Sequence, residues 1–420
     1  MIHFNPANLP DLFISAIGEL EHCLSPNLFP DFMWPDYKTD DWEDQEDQMI
    51  GLDYVLEDLS IDGNDLPNMT IQEIIELADT VRSAKLIGRG AVHLPSRSIF
   101  YVRHHYQAAE MVRFSGGDTA LLESDFLHET SLHSIKLVRG SLLFAVLISA
   151  AGGCDSDYNA SYSDEHFYVD LQCPASLIEK DRFNLLESFL FEVECCTELV
   201  FRPAQFPEVL EEWDEDDEAD TERPEIGSRI RLTATGKGLS DLHQMFNSSS
   251  GSDDNNLKFL GYVRVLEYVS ASIVRKVVHD ELRSKLLLPE ALNPSVEYVD
   301  LMQQTLEQLR NYKNDAEALK LTVETCSDAV VLSRYSPKCV ASLTSITVAS
   351  KPEDRRRALR DLSETISSTR NQLSHAKPNY SPRGSECPAN QLDDLTKCTK
   401  FAAKEAIRYF SDMPERLRLT

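Results

Sequence analysis

Residues 257–420 repeat apolar side chains at three- and four-residue steps, which is the spacing of one buried face of an α-helix. Long stripes of this kind cover residues 259–277, 298–326 and 359–373. A further helix is predicted over residues 392–410. The pattern therefore predicts an all-α C-terminal bundle of four or five helices.

Local signals predict where the third of these helices begins and ends. Ser350 and Glu353 have the spacing of a capping box, and Pro352 is tolerated in the first helical turn. Pro378 should end the helix, because the residue before a proline avoids the helical conformation.

The N-terminal half has a mixed pattern. Helical spacing covers residues 12–24, 70–84 and 175–195, and Thr70 with Glu73 forms a capping-box pattern. Runs rich in aromatic and β-branched residues predict strands at 98–104, 167–171 and 198–202. The apolar run 140–151 is too short to span a bilayer and predicts a buried helix or strand. We therefore expect an α+β region with no internal repeat.

Two polar segments separate the halves. Residues 208–225 are strongly acidic and predict a solvated segment, and residues 247–256 (NSSSGSDDNN) have the composition of a flexible linker. A short strand is predicted between them at 229–234. The chain should thus consist of an α+β N-terminal region (1–207), a connecting region (208–256) and a helical domain (257–420).

Charge is divided unevenly along the chain. Residues 251–420 carry 25 Lys and Arg against 23 Asp and Glu, whereas residues 1–250 carry 16 against 47. The net charge of −29 argues against a general nucleic-acid binder but allows a locally basic C-terminal site. Nine cysteines without a C-x-x-C pair indicate reduced thiols. With no signal peptide or membrane-spanning run, a cytoplasmic location is expected.

One motif in the helical domain carries candidate chemistry. Arg370, Asn371 and His375 form an R-N-x-x-x-H sequence at the end of the third predicted helix. Arginine can hold a phosphate with a forked, permanently charged donor, and histidine can transfer protons near neutral pH. The bare R-x4-H spacing arises by chance roughly 0.6 times in such a chain. A surface arginine beside a histidine that favours the helix dipole is therefore the alternative.

A helical bundle with R-N-x-x-x-H late in the domain resembles the HEPN (higher eukaryotes and prokaryotes nucleotide-binding) family, over about residues 257–415. The layout with an unrelated N-terminal region is similar to Apea-like abortive-infection proteins of bacterial antiphage defence. The resemblance implies a metal-independent endoribonuclease without a cofactor, with two motifs facing each other in a homodimer. Arg370 would then bind the phosphate, His375 would transfer protons, Asn371 would orient them, and the 2′-OH of the RNA would attack.

Helix geometry agrees with a shared site. Five residues along a helix place Arg370 and His375 about 140° apart around the axis and about 7.5 Å apart along it. The two side chains of one chain cannot easily contact the same phosphate, but side chains from two chains related by a two-fold axis can.

Neighbouring charges extend the candidate site. Lys377 stands where ribonuclease toxins of this family often have a tyrosine, so it adds a cation beside the phosphate or is simply solvated. Arg356 and Arg360 could guide RNA, or could pair with the acidic residues of their own helix, which is the favoured interpretation. Glu267 lies within the apolar sequence VLEYV and is either bonded into the motif region or exposed.

Two functional classes follow. The first is an antiphage ribonuclease whose acidic N-terminal region senses a phage or host trigger protein and restrains cleavage. The second is an inactive HEPN-like scaffold for dimerisation, nucleotide binding or protein-partner binding. Neither class requires a metal or a membrane.

Overall fold

The computed structural model describes residues 2–5, 8–23, 48–56, 60–61, 64–65, 68–104, 121–128, 131–151, 166–206, 230, 232, 236–312, 314–374 and 384–419. The chain divides into two compact units. The first comprises Met1–Leu186 with Phe201–Leu232, and the second comprises Glu187–Val200 with Thr233–Thr420.

Among its described residues, the first unit contains a seven-stranded antiparallel sheet, and six other strands form three separate pairs. The strands of this unit are β1 (Ile2–Asn5), β2 (Gln48–Gly51), β3 (Val55–Leu56), β4 (Ser60–Ile61), β5 (Asn64–Asp65), β6 (Met69–Thr70), β7 (Lys85–Ile87), β8 (Ala91–Leu94), β9 (Arg97–His104), β10 (Leu122–His128), β11 (Ser131–Arg139), β12 (Phe167–Gln172) and β13 (Phe201–Pro203). The main sheet has the order β10-β11-β12-β9-β8-β7, and β13 also pairs with β9. The predicted strands at 98–104 and 167–171 are thus adjacent, and the one predicted at 198–202 is confined to β13.

Helices α1 (Leu9–Cys23), α2 (Ile71–Ser83) and α3 (Leu142–Ala150) share an apolar core with this sheet. The capping box is confirmed, because the Thr70 hydroxyl accepts from the Glu73 N–H and the Glu73 carboxylate accepts from the Thr70 N–H. The apolar run 140–151 forms α3, whose side chains at 143–146 are buried. Among the described residues, no helix is both long and apolar enough to cross a membrane.

The second unit is helical, so the coarse division into a sheet-containing N-terminal half and a helical C-terminal half is confirmed. Its helices are the later turns of α4 (Glu179–Thr197), then α5 (Leu239–Ser250), α6 (Asn255–Leu286), α7 (Val296–Asn311), α8 (Asp315–Cys326), α9 (Ala329–Leu332), α10 (Ala341–Thr344), α11 (Pro352–Ser374) and α12 (Leu392–Asp412). One core joins α5, α6, α8, α11 and α12.

Two predictions about element boundaries need correction, and a third is untested. The helix predicted over 298–326 is two helices, because Asn314 caps a new helix by accepting from the Ala316 N–H. The helix predicted from Ser350 begins at Pro352, and the Ser350 hydroxyl accepts from the Thr347 N–H instead. Most of the predicted strand 229–234 and all of the acidic segment 208–225 lie outside the described residues.

The predicted flexible linker at 247–256 is wrong. Its first residues complete α5, and Asn247 and Ser250 are buried. The Asn247 amide donates to the Glu187 carboxylate at 2.6 Å, and the Ser250 hydroxyl donates to Glu194 at 2.8 Å. A polar composition does not produce a linker here, because α4 supplies buried acceptors for these donors.

A close helix crossing adds a second constraint on the same segment. A Cβ atom on Gly261 of α6 would lie 2.0 Å from the Ser249 hydroxyl oxygen of α5. Only glycine allows this approach, because any larger residue would push the two helices apart.

A buried ionic cluster joins α4 to α12. The Glu194 side chain is 2% exposed, and its carboxylate lies 2.5 Å from Lys400 Nζ. Lys404 Nζ donates to the Glu194 carbonyl oxygen at 3.3 Å, and Arg408 lies 3.4 Å from the Glu192 carboxylate. Burial lowers the pKa of Lys404 despite the neighbouring carboxylate. Residues 187–197 therefore belong to the helical unit through both packing and charge.

Candidate functional site

Helix α11 carries the first part of the candidate motif. Its buried side chains include Leu359, Leu362 and Ile366, which is the face predicted from the sequence. Arg370 and Asn371 lie in its final turns, and both are half-buried. The amphipathic pattern thus places the two polar residues at the margin of the core, where they reach both protein partners and solvent.

The Arg370 guanidinium has two side-chain partners. Its Nη2 atom lies 3.1 Å from the Glu267 carboxylate of α6, and Nη1 donates to the Asn371 amide oxygen at 3.2 Å. Glu267 is therefore bonded into the motif region, which was one of the two positions that the sequence allowed for it. The Arg370 side chain remains 33% exposed, so part of its donor fork faces solvent.

The electrostatics of Glu267 reflect this half-buried position. Burial raises the pKa of its carboxyl, Arg370 opposes that rise, and Asp315 adds to it. Arg370 is thus held by a carboxylate that is itself partly desolvated. A phosphodiester, whose single negative charge is shared by two non-bridging oxygens, offers the same two-oxygen acceptor geometry as a carboxylate and can bind the part of the guanidinium that faces solvent.

His375 and Lys377 lie outside the described residues, so the predicted proximity of His375 to Arg370 stays a prediction. The chain is described again from Gly384. From there it returns to α11, where the hydroxyls of Ser385 and Ser368 lie 2.8 Å apart. The Cys387 N–H also donates to the Thr369 hydroxyl at 2.9 Å. Both ends of the segment that contains His375 are therefore attached to the final turns of α11.

The predicted basic surface has a different arrangement. Arg360 pairs with Glu324 of α8 at 2.9 Å, which corrects the expected pairing with acidic residues of its own helix. Arg356 is exposed, and Arg355 donates to the Val348 carbonyl oxygen. Arg360 pairs with another helix because α8 packs beside α11 and brings Glu324 within reach. Only Arg356 of these three thus has no partner among the described residues.

The buried carboxylates of α4 were not anticipated as a polar centre. Glu187, Glu192 and Glu194 interrupt an apolar run (LLESFLFEVECC), and this interruption was the available signal. Within the described residues, no group of three or more His, Cys, Asp or Glu side chains is arranged to hold a metal ion.

No protein-family model matches this sequence, and no curated protein or solved structure is detectably similar to it.

Proposed function

We propose that this chain is a metal-independent endoribonuclease of the HEPN type. One observation carries the proposal: α11 presents the half-exposed fork of Arg370, steadied by Glu267 and Asn371, on the helix that leads directly into His375. A fixed cation beside a proton-transferring histidine is sufficient for attack of a ribose 2′-OH on the adjacent phosphate.

In this mechanism Arg370 binds the scissile phosphate and compensates the negative charge that develops on it. The His375 of one copy accepts the 2′-OH proton, the His375 of the second copy protonates the leaving 5′-oxygen, and Asn371 orients the guanidinium. The products are a 2′,3′-cyclic phosphate and a 5′-OH. DNA is not a substrate, because it lacks the attacking hydroxyl.

Purified protein incubated with RNA in EDTA tests this chemistry. We expect cleavage that leaves 5′-OH ends, which polynucleotide kinase labels without prior phosphatase treatment, and no cleavage of the matching DNA. Changing His375→Ala should slow cleavage by about 100-fold or more, because general acid–base catalysis is lost.

His133 provides the control, since it is a histidine on β11 of the first unit, outside the helical unit that carries the motif. His133→Ala should cleave at the wild-type rate. Equal rates for the two variants, or cleavage that requires a divalent metal, would contradict the proposed mechanism.

A second copy of the chain is the proposed source of the second motif. The hairpin formed by the end of α6, its connection and α7 exposes large apolar side chains. These residues are Leu286, Leu287, Leu288, Leu292, Val296, Val299 and Leu306. This concentration of exposed apolar side chains is the feature by which a partner-binding surface is recognised.

The charges of this hairpin are self-complementary. Residues 275–285 carry four Lys and Arg against two acidic residues, whereas residues 290–307 carry four acidic residues and no Lys or Arg. In a two-fold dimer, the basic residues 275–285 of one copy can lie against the acidic residues 290–307 of the other. These charges favour a second copy as the occupant of the hairpin surface.

Charged substitutions in the hairpin test self-association. The double variant Leu287→Asp with Leu292→Asp should raise the dimer dissociation constant by about 100-fold, because it places unpaired carboxylates in an apolar contact. Sedimentation equilibrium measures this constant. Leu257→Asp, at an exposed leucine near the start of α6, is the control and should leave it unchanged. A monomeric wild-type protein would rule out the shared site.

One observation favours the alternative, a non-catalytic HEPN-like scaffold. Arg370 already has a carboxylate partner, as a purely structural arginine would. The scaffold would use the same dimer for nucleotide or partner binding. It predicts no cleavage in the EDTA assay at any protein concentration.

We place the activity in antiphage abortive infection, with the acidic N-terminal region as a sensor that restrains the nuclease until a phage or host protein binds. The layout of the chain and its charge division support this role. Growth of cells that overexpress the full chain or a truncated chain measures the restraint. The truncation should retain α4, because Glu187 and Glu194 belong to the helical unit.

A further inference from the structure

Two cysteines that are 48 residues apart in the chain meet in the helical unit. The sulfur atoms of Cys339 and Cys387 are separated by 3.6 Å, and both residues are free thiols. Cys339 is exposed, whereas Cys387 is 6% exposed. One sulfur can thus meet a solvent oxidant while the other is held behind it.

Backbone hydrogen bonds hold both cysteines in place. The Cys387 N–H donates to the Thr369 hydroxyl of α11, and the Cys339 N–H donates to the Gln391 side-chain oxygen at 2.6 Å. Gln391 directly precedes α12. The two thiols therefore approach through ordered structure on both sides of the pair.

We propose that Cys339 and Cys387 are an oxidation site that forms a reversible intramolecular disulfide when the protein meets hydrogen peroxide. The sulfur atoms must approach by about 1.5 Å to reach the disulfide bond length of about 2.05 Å. This proposal is independent of ribonuclease activity, because it concerns only the two thiols and the helices that they join.

The reaction balances with peroxide as the oxidant. The Cys339 thiolate attacks one peroxide oxygen, the O–O bond breaks, and the departing hydroxide takes up a proton as water. The Cys387 sulfur then attacks the resulting Cys339 sulfenic acid and displaces its hydroxyl, which leaves as water with the Cys387 proton. Two thiols and one peroxide thus give one disulfide and two waters.

The environments of the two sulfurs determine the order of these steps. Burial raises the pKa of the Cys387 thiol to about 12, so few of these groups are ionised at neutral pH. Because the thiolate is the nucleophile, the exposed Cys339 reacts first and Cys387 resolves the sulfenic acid.

The disulfide closes a loop that contains all of α10 and α11. Cross-linking restricts the unfolded chain, so the oxidised helical unit should be more stable than the reduced one. We expect its melting temperature to rise by about 5–10 °C on oxidation.

The test treats the full-length protein with peroxide, blocks the remaining thiols and maps cross-linked peptides by mass spectrometry. We expect one Cys339–Cys387 cross-link within a single chain, reversed by dithiothreitol together with the rise in melting temperature. Cys339→Ser, at an exposed position that tolerates substitution, should abolish both effects.

Cys196→Ser provides the control, because Cys196 is also an exposed thiol and lies in α4. This variant should form the cross-link as the wild type does. Cys387→Ala provides a second variant, in which Cys339 should overoxidise to the sulfinic acid. The proposal is overturned if wild-type Cys339 overoxidises with Cys387 still reduced, if the cross-links join two chains, or if Cys339→Ser keeps the stabilisation.

Discussion

Replacing Arg370 with alanine should slow RNA cleavage by about 100- to 1,000-fold, because the developing charge on the phosphate loses its fixed donor. Arg370→Lys should recover little of the loss, since an ammonium group cannot reproduce the fork that bridges Glu267, Asn371 and a phosphate. The rate of cleavage of a labelled RNA under single-turnover conditions measures both variants.

Stability must be measured with the same variants. Arg370→Ala removes a half-buried ion pair with Glu267, which should lower the free energy of unfolding by only about 1 kcal/mol. Arg334→Ala, at an exposed arginine of the helical unit outside the candidate site, is the control and should cleave within about three-fold of wild type. An Arg370→Ala protein with wild-type cleavage would assign the arginine a structural role and favour the scaffold.

The second large effect concerns the buried cluster around Glu194. Changing Glu194→Ala should lower the free energy of unfolding of the helical unit by about 3–5 kcal/mol. The substitution removes the partner of Lys400 and the acceptor of the Ser250 hydroxyl, which also bonds the Tyr262 hydroxyl at 2.9 Å. The loss is costly because buried Lys404 loses a neighbouring carboxylate and the buried Ser250 hydroxyl loses its acceptor.

Urea unfolding followed by far-UV circular dichroism measures this loss. Asp393→Ala is the control, because Asp393 forms an exposed pair with Lys397 at 2.6 Å and should contribute less than about 1 kcal/mol. The double variant Glu194→Gln with Lys400→Met should recover part of the stability, because the glutamine amide still accepts from the Ser250 hydroxyl and no charge is left at position 400, whereas buried Lys404 still lacks its neighbouring carboxylate. A Glu194→Ala protein as stable as wild type would mean that the cluster is hydrated rather than buried.

The helices were largely predictable because their signals are local. Apolar spacing identified α6, α11 and α12, and the Thr70 capping box identified the start of α2. Each of these signals involves residues within one or two turns of each other, so the chain carries it wherever the segment lies in the fold.

The candidate site was predictable only in part. The sequence identified Arg370 and Asn371 and admitted a contact with Glu267, since a carboxylate within an apolar run is either bonded to a partner or exposed. It did not identify Glu324 as the partner of Arg360, or the contact between Cys339 and Cys387. Both depend on which elements become neighbours, and helical periodicity does not contain that information.

Residues 247–256 illustrate most clearly the difference between properties that depend on local sequence and properties that depend on tertiary packing. By itself the sequence determined their polarity, the helical character of the C-terminal half and the position of the R-N-x-x-x-H motif. Only the tertiary structure decided that Asn247 and Ser250 are buried, because their partners Glu187 and Glu194 lie about sixty residues earlier in the chain. Periodicity shows which face of a helix avoids water, whereas the partner of each buried polar group is decided by three-dimensional packing.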